Sequence, residues 1–147
     1  MRLSTRGRYG TRAMLELALH YGEGPILLKD IARRQQVSER YLEQVVTPLK
    51  AAGLVTSARG ARGGFSLARP PAEIRVAEIV EVLEGSVAPV ECVDDPATCP
   101  RASACVTREV WSEMKRAASG VLESITLEEL ARRQREREGP EEAMYHI

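Results

Sequence analysis

Apolar residues in the first third of the chain recur every three or four positions, the spacing that places them on one face of an α-helix. The pattern predicts helices from about Ser4 or Thr5 to Tyr21, from about Leu28 to Gln36, and from Ser38 to near Gly53. Their apolar faces consist of Ala13, Leu15, Leu17, Ala18 and Tyr21, of Ile31 and Ala32, and of Leu42, Val45, Val46 and Leu49. Because Pro48 cannot donate a backbone hydrogen bond, we expect the third helix to kink or end early there.

Two short apolar runs, residues 54–56 and 65–67, follow the third predicted helix. Between them lies the segment 59–64, with the sequence Arg-Gly-Ala-Arg-Gly-Gly. Together they predict a β-hairpin with a long, glycine-rich, basic tip. A fourth helix is predicted from about Val76 to Leu83, just before Gly85.

The second half of the chain is predicted to contain a loop and two further helices. Residues 86–105 show no periodicity and include three prolines, which indicates a loop. A long amphipathic helix is expected from about Ser103 to Ser124, with a stripe formed by Val110, Met114, Ala117, Val121 and Leu122. Thr126 begins a last helix, with Glu129 at capping-box spacing from it. The highly charged stretch 132–142 has a composition typical of disorder.

Length and composition exclude several classes of protein. The chain has 147 residues, of which 44% are hydrophobic and 29% charged, and this suits one globular domain with a modest extension. Apolar runs stay shorter than the ~18 residues that span a membrane, and the basic N-terminus lacks the apolar stretch of a signal peptide. We therefore expect a cytoplasmic protein without membrane contacts.

The net charge of zero conceals two oppositely charged halves. Residues 1–75 carry 13 basic and 6 acidic side chains, a net charge of +7, whereas residues 76–147 carry 8 and 15, a net charge of −7. A basic half joined to an acidic half is typical of a DNA-binding domain linked to a domain with another task. We place the boundary between the two at residue 75.

Helix, turn, helix and basic hairpin, in that order, predict a mainly α-helical protein with a winged helix-turn-helix in residues 1–75. The third helix would present Arg40, Glu43 and Gln44 to the major groove, with Ser38 at its start. A narrow minor groove would receive the wing tip, formed by Arg59, Gly60, Arg62 and Gly63. Phosphates would be contacted from the start of the first helix by Arg2, Ser4, Thr5, Arg6, Arg8 and Arg12.

Simpler interpretations of these residues exist. The polar side of the third helix could be an ordinary solvated face, and the glycines could be turn formers only. A loop that binds a nucleotide phosphate is disfavoured, because the Gly-Lys-Ser/Thr ending of a P-loop is missing. The ordered combination of elements favours DNA binding.

Three cysteines, Cys92, Cys99 and Cys105, fall within fourteen residues. Their gaps of six and five residues are wider than the tight pairs of a structural zinc site, and a fourth ligand is missing. Wide gaps in a loop suit an iron–sulfur cluster, on which three thiolates can converge. A zinc site, a thiol redox switch and unreactive cysteines are the alternatives.

Several segments resemble the Rrf2 family of bacterial winged-helix transcription regulators, which includes IscR-like, NsrR-like, RirA-like and cluster-free CymR-like members. The similarity covers about residues 1–135 and rests on the cysteine triplet and on residues 1–10 (MRLSTRGRYG), 41–44 (YLEQ), 53–55 (GLV), 59–65 (RGARGGF) and 125–130 (ITLEEL). The resemblance implies a homodimeric repressor or activator of a pseudo-palindromic operator in double-stranded DNA. It also implies control by a [2Fe–2S] or [4Fe–4S] cluster.

The resemblance assigns roles to individual residues. The family's base readers match Ser38, Tyr41, Glu43 and Gln44, and its wing arginine matches Arg59. In the family, the long helix after the third cysteine forms most of the dimer interface. The resemblance therefore implies that residues 76–147 contain a cluster-binding loop, 86–105, and a long dimerisation helix.

The fourth cluster ligand departs from the family pattern. IscR-like members use a histidine where this chain has Arg108, and NsrR-like members use an aspartate where it has Arg8. A guanidinium stays protonated and cannot bind iron. The remaining possibilities are an open iron site, as RirA-like members suggest, or one of Glu91, Asp94, Asp95, Thr107, Glu109, His20 and His146.

Other functions remain as alternatives. The same fold could serve a regulator controlled by cysteine oxidation, zinc or a protein partner, or it could serve an electron-transfer protein or cluster carrier. An enzyme is not expected, because no nucleophile–base pair is present and the two histidines are 126 positions apart.

Overall fold

The structure, a computed structural model, describes the backbone of residues 2–145 and the side chains of residues 2–139. Within these residues the elements are α1 Thr5–Leu19, α2 Leu28–Gln35, α3 Glu39–Ala51, β1 Val55–Ala58, β2 Gly64–Leu67, α4 Val76–Glu84, α5 Glu91–Asp94, α6 Val106–Ser124 and α7 Leu127–Tyr145. Short 3-10 turns lie at Pro71–Glu73, Pro96–Thr98 and Ala102–Ala104. The predicted fold, a mainly α-helical winged helix-turn-helix followed by a long helix, is confirmed.

Serine side chains begin helices α1 and α3. The Ser4 hydroxyl accepts a hydrogen bond from the Gly7 N–H at 3.2 Å, and the Ser38 hydroxyl accepts one from the Tyr41 N–H at 3.1 Å. Each hydroxyl satisfies an N–H group that has no partner within its helix. Helix α1 ends at Leu19, sooner than expected, and Tyr21 is exposed instead of lying on the apolar face.

Helix α3 continues through Pro48 to Ala51, so it does not end early at the proline, and the alternative of a kink stays a prediction. Proline lacks the N–H that would bond the carbonyl four residues earlier, which here belongs to Gln44. Gln44 lies on the exposed side of α3, away from the buried core. Gly53, just beyond the helix, has the expected left-handed conformation with φ +79°.

The wing is anchored at its base by a third segment. Strands β1 and β2 pair antiparallel, with Ser57 opposite Phe65 and Ala58 opposite Gly64. Ile26, between α1 and α2, adds a bridge to Phe65 through hydrogen bonds of 2.9 and 2.8 Å. A Cβ at Gly64 would lie only 2.3 Å from the Ile26 carbonyl oxygen, so this close pairing requires glycine.

Helix α1 crosses α3 and α4 at close range through two glycines. A Cβ at Gly10 would lie 2.1 Å from Leu83 Cδ1 and 3.0 Å from Val45 Cγ1, and a Cβ at Gly7 would lie 2.2 Å from Glu84 Oε1. The absence of side chains at these two positions therefore lets the three helices meet. The core around the crossing includes Ala13, Met14, Leu17, Ile31, Leu42, Leu49, Ile74, Ile79 and Leu127.

Helix α7 returns to this core from the far end of the chain. The Leu127 N–H donates to the Ile74 carbonyl, and the Val76 N–H donates to the Ile125 carbonyl, both at 2.9 Å. The Thr126 hydroxyl accepts from the Glu129 N–H at 3.2 Å, which is half of the predicted capping box. The charged stretch 132–142 is helical rather than irregular, with a bend at Gly139. The division of the chain at residue 75 stays a prediction.

The segment before α6 has more structure than a plain loop. Residues 86–105, predicted to be irregular, contain the one-turn helix α5 and two 3-10 turns, and α6 begins at Val106 rather than near Ser103. Helix α6 buries no residue within a single chain. Leu122 does not belong to the exposed stripe, because it lines a cleft with Val80 of α4. No helix of the described residues is long and apolar enough to cross a membrane.

We expect Gly10→Ala to lower the free energy of unfolding, because the added methyl group overlaps Leu83 and Val45. Overpacking of this kind costs about 1–3 kcal/mol, whereas alanine gains at most about 1 kcal/mol over glycine in a helix. Urea unfolding should show a net loss of roughly 1–2 kcal/mol. The loss should shrink in a Leu83→Ala background, and an equal loss in both backgrounds would contradict the close crossing.

Candidate nucleic-acid interface and cysteine loop

Helix α3 presents its polar side to solvent. Leu42, Val45 and Leu49 are buried on one side, while Arg40, Glu43 and Gln44 are exposed on the other. The Thr47 hydroxyl donates to the Glu43 carbonyl at 2.7 Å. Ser38 is exposed but already caps the helix, and Tyr41 is half-buried. The face free to meet a base edge is therefore made of Arg40, Glu43 and Gln44.

The wing tip exposes its arginines but buries one glycine. Arg59, Gly60 and Arg62 are exposed, and Gly60 takes a left-handed conformation with φ +100°. The Gly63 N–H donates to the Gly60 carbonyl at 3.0 Å, and a Cβ at Gly63 would lie 2.3 Å from the Ala58 carbonyl oxygen. Gly63 thus shapes the tip, whereas the two arginines project from it.

The start of α1 combines exposed cations with an internal carboxylate. Arg2, Thr5, Arg6 and Arg8 are exposed. The Ser4 hydroxyl and the Ser4 N–H, the latter at 3.0 Å, both donate to Glu84 Oε1 at the end of α4. A carboxylate beside a helix N-terminus is favourable because of the helix dipole. Sequence reasoning missed Glu84, since only the tertiary fold brings it to α1.

Some arginines of the described structure pair with carboxylates, and those of these three elements do not. Arg34, Arg69 and Arg132 pair with carboxylates. No carboxylate within residues 2–139 pairs with Arg2, Arg6, Arg8, Arg40, Arg59 or Arg62. Exposed positive charge that is not neutralised internally attracts phosphate groups.

The structure holds the three cysteines on separate turns. Cys92 lies in α5, Cys99 follows the turn Pro96–Thr98, and Cys105 immediately precedes α6. All three thiols are free and partly exposed. Among the described residues, no three Cys, His, Asp or Glu side chains converge in a group that could hold a metal ion. The three thiols could serve as ligands of a cluster, but in this conformation they do not lie close enough together to share one.

Arg108, at the position of a family ligand, instead ties α5 to α6. Its Nε donates to the Cys92 carbonyl at 2.8 Å and its Nη2 to the Val93 carbonyl at 3.5 Å. Lys115 and Asp94 form a second tie between the same helices. These contacts give Arg108 a structural task that is incompatible with binding iron.

The other candidate fourth ligands lie on several separate elements of the fold. Asp95 caps the turn after α5, and Glu91 begins α5. Thr107 and Glu109 lie in the first turn of α6. His20 is held at the end of α1 by Glu23 and Arg34, with 2.9 Å to each. His146 lies outside the described residues, so the fourth ligand stays open.

The Cys105 thiol has an environment that favours its thiolate. The Thr107 hydroxyl lies 3.1 Å from Cys105 Sγ, and together with the backbone N–H of Arg108 it lowers the pKa of Cys105 below the ordinary value for a thiol. The positive charge of Arg101 acts in the same direction. Because the thiolate is the form that binds metals and attacks electrophiles, this environment activates Cys105.

Known proteins of similar sequence and structure are transcription regulators. The Rrf2 family model, described as an iron-dependent transcriptional regulator, matches residues 3–133. Protein rrf2 of Nitratidesulfovibrio vulgaris is 45% identical over 132 residues, which cover 90% of this chain and 88% of that protein. The structure of CymR, the global cysteine regulator of B. subtilis, is 47% identical with a TM-score of 0.76, covering 89% of this chain and 96% of that one. T. potens IscR is 43% identical with a TM-score of 0.79, covering 99% and 96%.

We expect the alkylation of Cys105 by iodoacetamide in the apo protein to begin at a lower pH than that of an ordinary thiol. A lowered pKa increases the thiolate fraction at a given pH, so the alkylation rate should begin to rise at a lower pH. Thr107→Val removes the hydrogen bond and should move the rise for Cys105 to higher pH, whereas Thr98→Val is the matched control. Mass spectrometry of each cysteine peptide measures the rates. An unchanged profile in Thr107→Val would contradict the assigned cause.

Proposed function

The chain belongs to the Rrf2 family of transcriptional regulators, and we propose that it binds a pseudo-palindromic double-stranded DNA operator as a homodimer. The observation that carries this proposal is the set of exposed arginines on α1, α3 and the wing that pair with no carboxylate among residues 2–139. A regulator of this kind acts on the chromosome, so we place it in the cytoplasm.

Each element of the proposed interface has a distinct task. Helix α3 lies in the major groove, where Arg40 and Gln44 can form bidentate hydrogen bonds to bases and Glu43 can accept from cytosine. Arg59 and Arg62 enter the minor groove from the wing. The start of α1 contacts phosphates, which position the protein without selecting a sequence. Ser38 and Tyr41 complete the base-reading set by resemblance to the family.

The second copy is proposed to cover the exposed stripe of α6. Val106 is 72% exposed, Val121 58%, Val110 49% and Met114 39%, and these four residues share one side of the helix with Ala117. Apolar side chains concentrated along one exposed helix face mark an interaction surface. A two-fold symmetric pairing of α6 with itself would present two α3 helices to the two halves of a palindrome.

We propose that Cys92, Cys99 and Cys105 hold an iron–sulfur cluster that controls DNA affinity. Three free thiols on one loop match the donor set of such a cluster, and the activated Cys105 favours the ligating form. When bound, the cluster would supply a group that responds to iron, redox state or nitric oxide. Since the thiols occupy separate turns, residues 86–105 must rearrange to hold one cluster together.

A regulator without a cluster is the second candidate. Arg108 uses the position of a family ligand to fix α5, and the chain is 47% identical to CymR, named a cysteine regulator. In this alternative the three thiols act as a redox switch or zinc site, or a protein partner controls the dimer. Activated Cys105 suits a thiol switch as well as a cluster.

We expect tight binding to an operator selected from a random duplex library, with two chains per operator. Affinity should fall about 10³-fold between 50 and 200 mM salt if at least about 6 phosphates are neutralised. Arg59→Ala should weaken binding, and Gln44→Ala should cost about 1–3 kcal/mol and flatten the preference at specific base pairs. Fluorescence anisotropy with selected and scrambled duplexes measures both effects.

Arg137→Ala, which removes an exposed arginine of α7, is the matched control and should bind like the parent. If parent and variants bind all sequences equally, base reading by α3 is wrong. A salt-independent affinity would contradict the phosphate contacts.

We expect anaerobic reconstitution with ferrous iron and sulfide to give a coloured, iron-loaded protein with altered operator affinity. Replacing Cys92, Cys99 and Cys105 together by alanine should abolish iron and sulfide uptake, whereas Ser103→Ala in the same loop should not. Absorption spectra and iron, sulfide and zinc analysis measure the loading. A colourless, iron-free parent with intact thiols would support the second candidate instead, and its zinc content would distinguish the zinc site from the two forms without a metal.

A further inference from the structure

Tyr9 lies where α1 meets the start of α3, and no role assigned so far uses it. Its ring packs against the ring of Tyr41 with centroids 6.1 Å apart and planes at 84°, an edge-to-face contact. Tyr41 is a base reader by family resemblance, yet it is only half-buried and packs at the margin of the core. The Tyr9 ring is therefore one of the contacts that position the Tyr41 side chain, beside those with the margin of the core.

The same Tyr9 ring supports two cations of α1. The guanidinium carbon of Arg12 lies 5.1 Å from the ring centroid and that of Arg8 lies 6.0 Å away. Arg12 also donates to the Gln35 carbonyl, at 3.5 Å, at the end of α2. A cation over an aromatic face is held by the ring quadrupole and stays available to solvent on its other side. Tyr9 thus contacts one side chain proposed to read bases, Tyr41, and two proposed to contact phosphates, Arg8 and Arg12.

Close packing of the two helices sets the spacing of the two rings. Gly10, the next residue after Tyr9, lets Val45 of α3 approach the backbone of α1 closely. The backbone of Tyr41 lies in the capped first turn of α3, where its N–H donates to the Ser38 hydroxyl. Both rings therefore project from helices that are packed against each other.

We propose that Tyr9 is a positioning residue for sequence recognition. It fixes the Tyr41 side chain and the Arg8 and Arg12 guanidinium groups in one arrangement, so that the base-reading part of α3 and the phosphate-contacting part of α1 meet DNA as one unit. This inference rests on the proposed function. It assigns a task to a residue that does not itself touch a base.

The test compares Tyr9→Leu, Tyr9→Phe and the parent, each with the library-selected operator and with a scrambled duplex of equal length. Loss of one aromatic pair should reduce the ratio of selected to scrambled affinity between about 2-fold and 10-fold in Tyr9→Leu. Tyr9→Phe keeps the ring and should restore the ratio. Tyr21→Leu, at an exposed tyrosine after α1, is the matched control and should keep it.

A double-mutant cycle with Tyr41→Leu separates positioning from general damage. The ratio lost in the Tyr9→Leu, Tyr41→Leu double variant should equal that lost in Tyr41→Leu alone, because Tyr9 acts through Tyr41. Additive losses of the ratio, or a weakening toward both duplexes that leaves the ratio unchanged, would overturn the inference. Thermal unfolding of each variant checks folding, and Tyr9→Met serves if Tyr9→Leu does not fold.

The outcomes distinguish this inference from the function on which it rests. A parent that selects no sequence would overturn both. A selective parent whose Tyr9→Leu and Tyr9→Met variants keep the full affinity ratio would overturn the role of Tyr9 alone.

Discussion

The contact of α1 with α3 and α4 at Gly10 constrains the position of every functional element. Because this residue has no side chain, Val45 of α3 and Leu83 of α4 both reach the α1 backbone. The recognition helix and the helix that leads to the cysteine loop are thus placed against one point. Ser4 and Glu84 close the same crossing at its edge, where α1 begins and α4 ends. Interiors packed this densely transmit displacement rather than absorb it, so a shift of α4 would be felt by α1.

Arginines meet three kinds of surroundings in this fold. Arg69 and Arg34 pair with the carboxylates of Glu78 and Glu16, whereas Arg108 bonds backbone carbonyls. Those on α3 and the wing pair with no carboxylate among the described side chains, so their positive charge is not neutralised within the chain. A polyanionic partner neutralises this charge when it binds, so the placement of the arginines favours binding of such a partner.

Local signals predicted the elements well and tertiary contacts poorly. The periodicity of Leu42, Val45 and Leu49 identified α3, and the glycine-rich tip identified the wing. The turns within 86–105 escaped because each spans only three or four residues, too few for a period. The stretch after Arg132 has a composition typical of disorder, yet it is helical. Ion pairs of Arg132 with Glu129 and Glu136, one turn away on either side, stabilise the helix. The tasks of Glu84, Arg108 and Tyr9 depend on distant partners, which no local pattern reveals.

The backbone bonds that join Ile74 to Leu127 and Val76 to Ile125 bring two distant points of the chain side by side. The cysteine loop and α6 therefore lie between two paired segments of backbone. The chain leaves the core after α4 and returns, at the start of α7, beside the residues where α4 begins. Insertions, deletions or changes of sensory chemistry within this part of the chain leave its two anchors, the paired segments, in register. The segment between these anchors can therefore change in length and sequence without altering the winged helix-turn-helix, so the two parts of the chain can evolve separately.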